Sequence, residues 1–84
     1  MFLRDQVVRI RHGAKDRYVQ VESGPFKIHQ REGDFYQGWI LLEKNDPYGE
    51  PSTVCFVEQE ATIATEDEVA ANTQGRLSFR EADF

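Results

Sequence analysis

The sequence predicts a mainly β protein: a small five-stranded barrel or a bent antiparallel sheet, followed by a short C-terminal helix and a tail. Three observations carry that reading. β-Branched and aromatic residues alternate with polar ones in short runs, turn-forming residues interrupt those runs every few positions, and one helix-capping signature stands near the C-terminus.

The first run, Gln6-Val7-Val8-Arg9-Ile10-Arg11-His12, puts Val8 and Ile10 on one face and Arg9 and Arg11 on the other. Gly13-Ala14-Lys15-Asp16 reads as a turn. Tyr18-Val19-Gln20-Val21-Glu22 alternates again, so residues 7–22 form a hairpin. Ser23-Gly24-Pro25 breaks the run, and Phe26-Lys27-Ile28-His29-Gln30 supplies a third strand before the polar turn Arg31-Glu32-Gly33-Asp34. Gly38-Trp39-Ile40-Leu41-Leu42-Glu43 is apolar on both faces, the pattern of a central or barrel strand. Residues 45–51 form a loop, because Pro47 and Pro51 cannot donate to a ladder. Thr53-Val54-Cys55-Phe56-Val57 is the fifth strand, with Cys55 expected to be a buried small hydrophobe. Closing the five strands into a barrel would remove the exposed edges.

Beyond residue 60 the character changes. Thr65-Glu66-Asp67-Glu68 is a capping box, with Thr65 as N-cap and Glu68 reaching back; the helix ends at Asn72 or Gly75. In the last stretch Leu77 and Phe79 alternate, which suits a short strand or an extended docking segment. The chain therefore divides into a β body, residues 1–61, and an acidic helix and tail, residues 62–84, that pack on the body or on a partner.

Eighty-four residues make one domain, and 39% apolar with 12% aromatic residues suffices for one core. The single cysteine excludes an intrachain disulfide. The opening residues lack the apolar run of a signal peptide, and no stretch approaches the roughly 20 apolar residues of a membrane span, so a cytoplasmic location without membrane contact is expected. The net charge of −5 is unevenly placed: residues 1–31 carry +4 and residues 58–84 carry −5. The acidic whole disfavours general nucleic-acid affinity, whereas the N-terminal third alone does not.

The opening hairpin, residues 5–13 followed by Tyr18-Val19-Gln20-Val21, resembles the first hairpin of small SH3-like barrels such as KOW-type domains and a photosystem accessory subunit of similar size. The fifth strand and its acidic exit Phe56-Val57-Glu58-Gln59-Glu60 are similar to that group as well. The resemblance covers roughly residues 5–60 and implies a fold; it carries over no functional residue.

The chemistry points away from catalysis. His12, His29 and Cys55 do not make a metal-ligand spacing, and no cofactor is implied. Ser23, Ser52 and Ser78 lack a positioned base, and the glycines are scattered singly rather than gathered into a phosphate-cradling loop. Two surfaces suit partners. Tyr36, Trp39 and Tyr48 are of the kind that dominates binding hot spots; Tyr36 and Tyr48 are expected to be exposed, while Trp39 falls in the core or on the surface according to the strand's phase. Glu66, Asp67 and Glu68 give the helix an acidic face for a protein partner. Arg9, Arg11, Lys15 and Arg17 form a basic hairpin patch that either holds phosphates or pairs with Asp16, Glu22 or the acidic tail. Three functions follow: a protein-interaction module, a nucleic-acid binder, and a phage-type accessory protein (an inhibitor of a host nuclease or defence system, or a virion component) whose acidic face mimics a nucleic-acid backbone.

Overall fold

In a computed structural model, which describes residues 1–78, the alternating runs become an antiparallel sheet. Its elements are β1 (Val7–His12), β2 (Lys15–Phe26), β3 (Phe35–Ile40), β4 (Ser52–Val57), a 3-10 turn (Glu58–Glu60), β5 (Ala61–Ile63) and α1 (Glu66–Asn72). The strand order is β4-β3-β2-β1-β5, and the sheet is unclosed, with β4 and β5 as its edges. No helix of the described residues is long and apolar enough to cross a membrane.

The strand count of five is reached differently from the sequence reading. Ser23-Gly24-Pro25 does not end a strand. β2 runs on through it for 12 residues, and the interruption is absorbed by register shifts between Val21 and Ser23 and between Ser23 and Phe26. Gly24, at φ +132°, lies against the Tyr36 ring, where a Cβ would come within 2.6 Å of Cδ2. The expected third strand over residues 26–30 is therefore the last residue of β2 and a loop containing His29; Arg31 N–H donates to Ile28 C=O there, and Gln30 takes φ 63°. The strand expected over residues 38–43 starts earlier, at Phe35, and ends at Ile40. The fifth strand of the sheet is Ala61–Ile63, three residues paired with β1, too short to show a period.

β2 hands over between neighbours. Its residues 15–20 pair with β1, and its residues from Val19 to Phe26 pair with β3. The inner face so formed gathers Val8, Ile10, Val19, Val21, Tyr36, Ile40 and Phe56, flanked by Phe2, Val54 and Ala61. Burying each such side chain contributes about 1.5–3 kcal/mol. Cys55 is exposed rather than buried, because β4 turns Val54 and Phe56 inward and leaves the odd positions outside. Tyr36, expected on the surface, is completely buried: its hydroxyl donates to Glu58 Oε1 at 2.8 Å and accepts from Phe2 N–H at 3.1 Å. Both tyrosine bonds are what let a phenol sit in this core.

α1 covers the outer face. Val69 packs with Val7 and Leu41, and Tyr18, Ala64 and Leu77 surround them. The capping box is present in full, with Glu68 N–H donating to Thr65 Oγ1 at 3.1 Å. At seven residues the helix is too short to persist alone. It is tied down at its exit: Glu43 and Thr73 form a β-bridge, Gln74 N–H donates to Leu42 C=O, and the Gln74 side chain donates to the Glu43 and Asp46 carbonyls. Of the expected docking segment, residues 76–78 are described; Phe79 and Phe84 lie outside the described residues.

Gly38 stands where β2 leaves no room for a side chain. A Cβ there would collide with the Gln20 carbonyl oxygen and come within 2.6 Å of Val19 Cγ1. Gly38→Ala is expected to lower stability by about 1–3 kcal/mol through the steric clash, measured by urea unfolding, whereas Gly75→Ala, with open space around it but φ +100°, is expected to lower it through backbone strain alone, by about 1–3 kcal/mol.

Candidate functional site

The outer face of the sheet holds the candidate site. Arg9 on β1, Tyr18 and Gln20 on β2, and Trp39 on β3 lie on this face, and α1 with residues 73–78 crosses it. A strand presents every second residue to one face, which is why these positions come together.

Gln20 is the centre of the arrangement. It is buried, with 4% of its surface exposed, and its amide is fully used. Nε2 donates to the Leu77 carbonyl at 2.9 Å and to Asp5 Oδ1 at 3.1 Å, while Oε1 accepts from the Leu77 N–H at 2.7 Å. One side-chain amide thus reads both main-chain groups of an extended residue, as a neighbouring strand would. Arg76 beside it makes two bonds to the Glu66 carboxylate, at 2.7 and 3.0 Å, and its Nε donates to the Asp5 carbonyl at 3.2 Å.

A groove of about 400 Å³ opens along this segment. Trp39 gives it an apolar wall, Gln20 and Leu77 its floor, and Arg4, Asp5, Glu22 and Arg76 a rim of both signs; Val21 borders it from the strand, with its side chain in the inner core. Trp39 is half-buried: Ile40 points into the inner core, so Trp39 and Leu41 share the outer face, with only Leu41 under the helix. Tyr48 stands 92% exposed in the loop between β3 and β4 and is not part of this groove. Tyr36 is removed from the candidate surface by its burial.

The basic hairpin is paired. Arg9 meets Glu68 at 2.7 Å, Arg11 meets Asp16 at 3.6 Å, and Glu43 takes Lys15 at 2.5 Å and Arg17 at 3.7 Å. Glu68 also accepts from the Tyr18 hydroxyl at 3.4 Å, and burial first, then this carboxylate, pushes the Tyr18 phenol up from its ordinary value. The carboxyl of Glu68 is held below the usual range by its bond from the Thr65 backbone, with Arg9 and Tyr18 adding to the effect. Glu66 is lowered by Arg76, Glu43 by Lys15, and Glu58 by Tyr36 and the terminal amine. Asp67 is exposed and has no hydrogen bond or ion pair among the described residues.

Sequence reasoning missed Gln20, Glu43, Asp5 and Arg76. The available signal lay at Gln20: a polar residue between two core valines, on the face a docked helix must cover, has to find partners for its amide. Comparison of the chain with known families, characterised proteins and solved structures finds no match.

Two outcomes test this geometry. Gln20→Ala should cost about 1–3 kcal/mol and speed hydrogen exchange at the Leu77 amide while leaving the β1–β2 amides slow. The second concerns pH. Glu43, Glu58, Glu66 and Glu68 titrate below the ordinary 4.5 when folded. The unfolded chain therefore binds protons first, so this stabilisation is complete above the ordinary value and is lost as the pH falls through the folded values. Urea melts across that range should show the decline, and the Glu66→Gln/Glu68→Gln pair should show a shallower one.

Proposed function

We propose that this chain is a non-catalytic protein-interaction module of SH3-like design, and that it binds an extended polypeptide segment along the Trp39 groove. The observation that carries the reading is the Gln20 amide. It already holds both main-chain groups of an extended residue, next to an aromatic wall and open space for more chain. The half-exposed indole supplies the large contact area that binding hot spots use.

Three features support the SH3-like design: a long β2 shared between two sets of neighbours, a meander from β2 to β4, and a 3-10 turn that returns β5 to β1. The barrel is left open between β4 and β5. A protein ligand is favoured over nucleic acid because Arg9, Arg11, Lys15 and Arg17 each lie within 3.7 Å of a carboxylate. A phosphate would have to displace those carboxylates.

Peptides selected from a random library against the folded chain test the reading. Their addition should shift the NMR signals of Trp39, Val21, Glu22 and Arg4, and Trp39→Ala should weaken binding roughly tenfold or more, with an unchanged melting curve. Selected peptides that perturb residues elsewhere, or that bind Trp39→Ala as well as wild type, would overturn it.

A further inference from the structure

We infer that the β4 edge pairs with the β4 edge of a second copy of this chain, extending the sheet across a two-fold axis at Cys55. This surface is distinct from the Trp39 groove and does not depend on it.

The hydrogen-bond phase of β4 follows from one bond. Glu58 N–H donates to Asp34 C=O at 2.8 Å, and the register aligns Phe35 with Val57, so residues 34 and 58 are a hydrogen-bonded pair. Such pairs alternate along an antiparallel ladder. Tyr36 with Phe56, Gly38 with Val54 and Ile40 with Ser52 are therefore the next ones. Thr53, Cys55 and Val57 consequently aim their main-chain N–H and C=O groups away from β3. No strand accepts them among the described residues, because β4 ends the sheet.

This edge has none of the usual guards. Its sequence, Ser52-Thr53-Val54-Cys55-Phe56-Val57, holds no charge and no proline, and its pairing with β3 is regular over all six residues. Edges that stay single are blunted by charges, prolines, bulges or shortness. The opposite edge, β5, is only three residues long.

A row of unpaired main-chain groups specifies a β-strand as the occupant, and its symmetry specifies a second copy. The outward row is Thr53, Cys55 and Val57. It is closed on one side by Pro51, which has no N–H to offer at the next outward position, and on the other by the 3-10 turn at Glu58. The row is thus centred on Cys55. In an antiparallel pair about that centre, Cys55 faces Cys55 of the second copy and Thr53 faces its Val57, each exchanging both main-chain bonds. An uncharged strand sets no like charges opposite each other when it meets itself. A two-fold axis normal to the sheet also joins the two inner faces, so Val54, half-buried in one copy, gains Phe56 of the other across the junction.

The full chain tests this by sedimentation over a concentration series with amide exchange at both ends of the series. The expected result is a shift from one chain to two, in which the Thr53, Cys55 and Val57 amides exchange fast at low concentration and slowly at high. The Val54 and Phe56 amides, bonded to β3, should be slow throughout. A short bismaleimide should join the native chains through their Cys55 thiols and fail to do so in urea. Thr53→Lys and Thr53→Lys/Cys55→Lys alter exposed side chains only, and should weaken the dimer roughly tenfold or more with circular dichroism unchanged. A single-chain mass at the highest soluble concentration would overturn the inference. So would a dimer in which the Thr53, Cys55 and Val57 amides stay fast.

Discussion

β2 has to serve two neighbours that do not lie side by side along it. Its first half belongs to β1 and its second half to β3, with the two ladders overlapping only around Val19 and Gln20. A flat strand cannot do this while keeping one face dry. The register shifts after Val21 and after Ser23 increase the local twist, and the sheet bends toward its own inner face. That bend is why residues from one sheet alone can enclose Tyr36, and why Gly38 must be a glycine where the strands approach. Phe2 packs against Tyr36 and Phe56, with ring centroids 5.1 and 6.3 Å away, and completes the enclosure from the N-terminal side.

The same handover decides where the C-terminal segment goes. At the overlap the outward residue is Gln20, and burying an unpaired amide costs about 1–3 kcal/mol. Leu77 answers it with both main-chain groups, and the helix before it brings Val69 over Val7 and Leu41. Each contact makes the other easier to form: the apolar patch desolvates the amide, and the amide fixes the register of the segment. The ion pairs nearby follow from this placement. Arg9 lies beneath Glu68 because the capping box points that carboxylate back toward the start of the helix, where β1 passes.

Much of this was legible in the sequence wherever a short-range rule applied. The hairpin, the inward pairs Val8 with Ile10 and Val19 with Val21, and the Thr65 cap all depend on neighbours within a few residues. What was not legible depends on partners distant in the chain. Period-two alternation gives the two faces of β4 but not which is inside, so Cys55 was assigned to the core until the pairing with β3 set the phase. Ser23-Gly24-Pro25 carries the same residues whether it ends a strand or bends one; only Tyr36, seated where the Gly24 side chain would be, distinguishes the two. Tyr36 itself is a polar aromatic whose burial needs Glu58, 22 residues away. In the candidate site, Trp39 was visible as a residue type, but the Gln20 amide that holds both main-chain groups of Leu77 was not.

Charge separates the remaining surfaces. The excess of cations in the first third of the chain is largely absorbed by carboxylates brought from elsewhere, Glu43 from the segment after β3 and Glu68 from α1. Such half-exposed pairs add little stability singly. Their larger effect is to leave the hairpin near neutral. The groove rim, with Arg4 and Arg76 set against Asp5 and Glu22, is balanced, and β4 carries no charge at all. An acidic protein of net charge −5 repels its own copies at long range. Close approach is therefore least opposed where the local charge vanishes, and the uncharged stretch is also the one whose main-chain groups have no partner in the sheet. The two conditions coincide over six residues on β4 and over only three on the opposite edge, β5, so β4 offers the longer uncharged row along the edges of the described sheet.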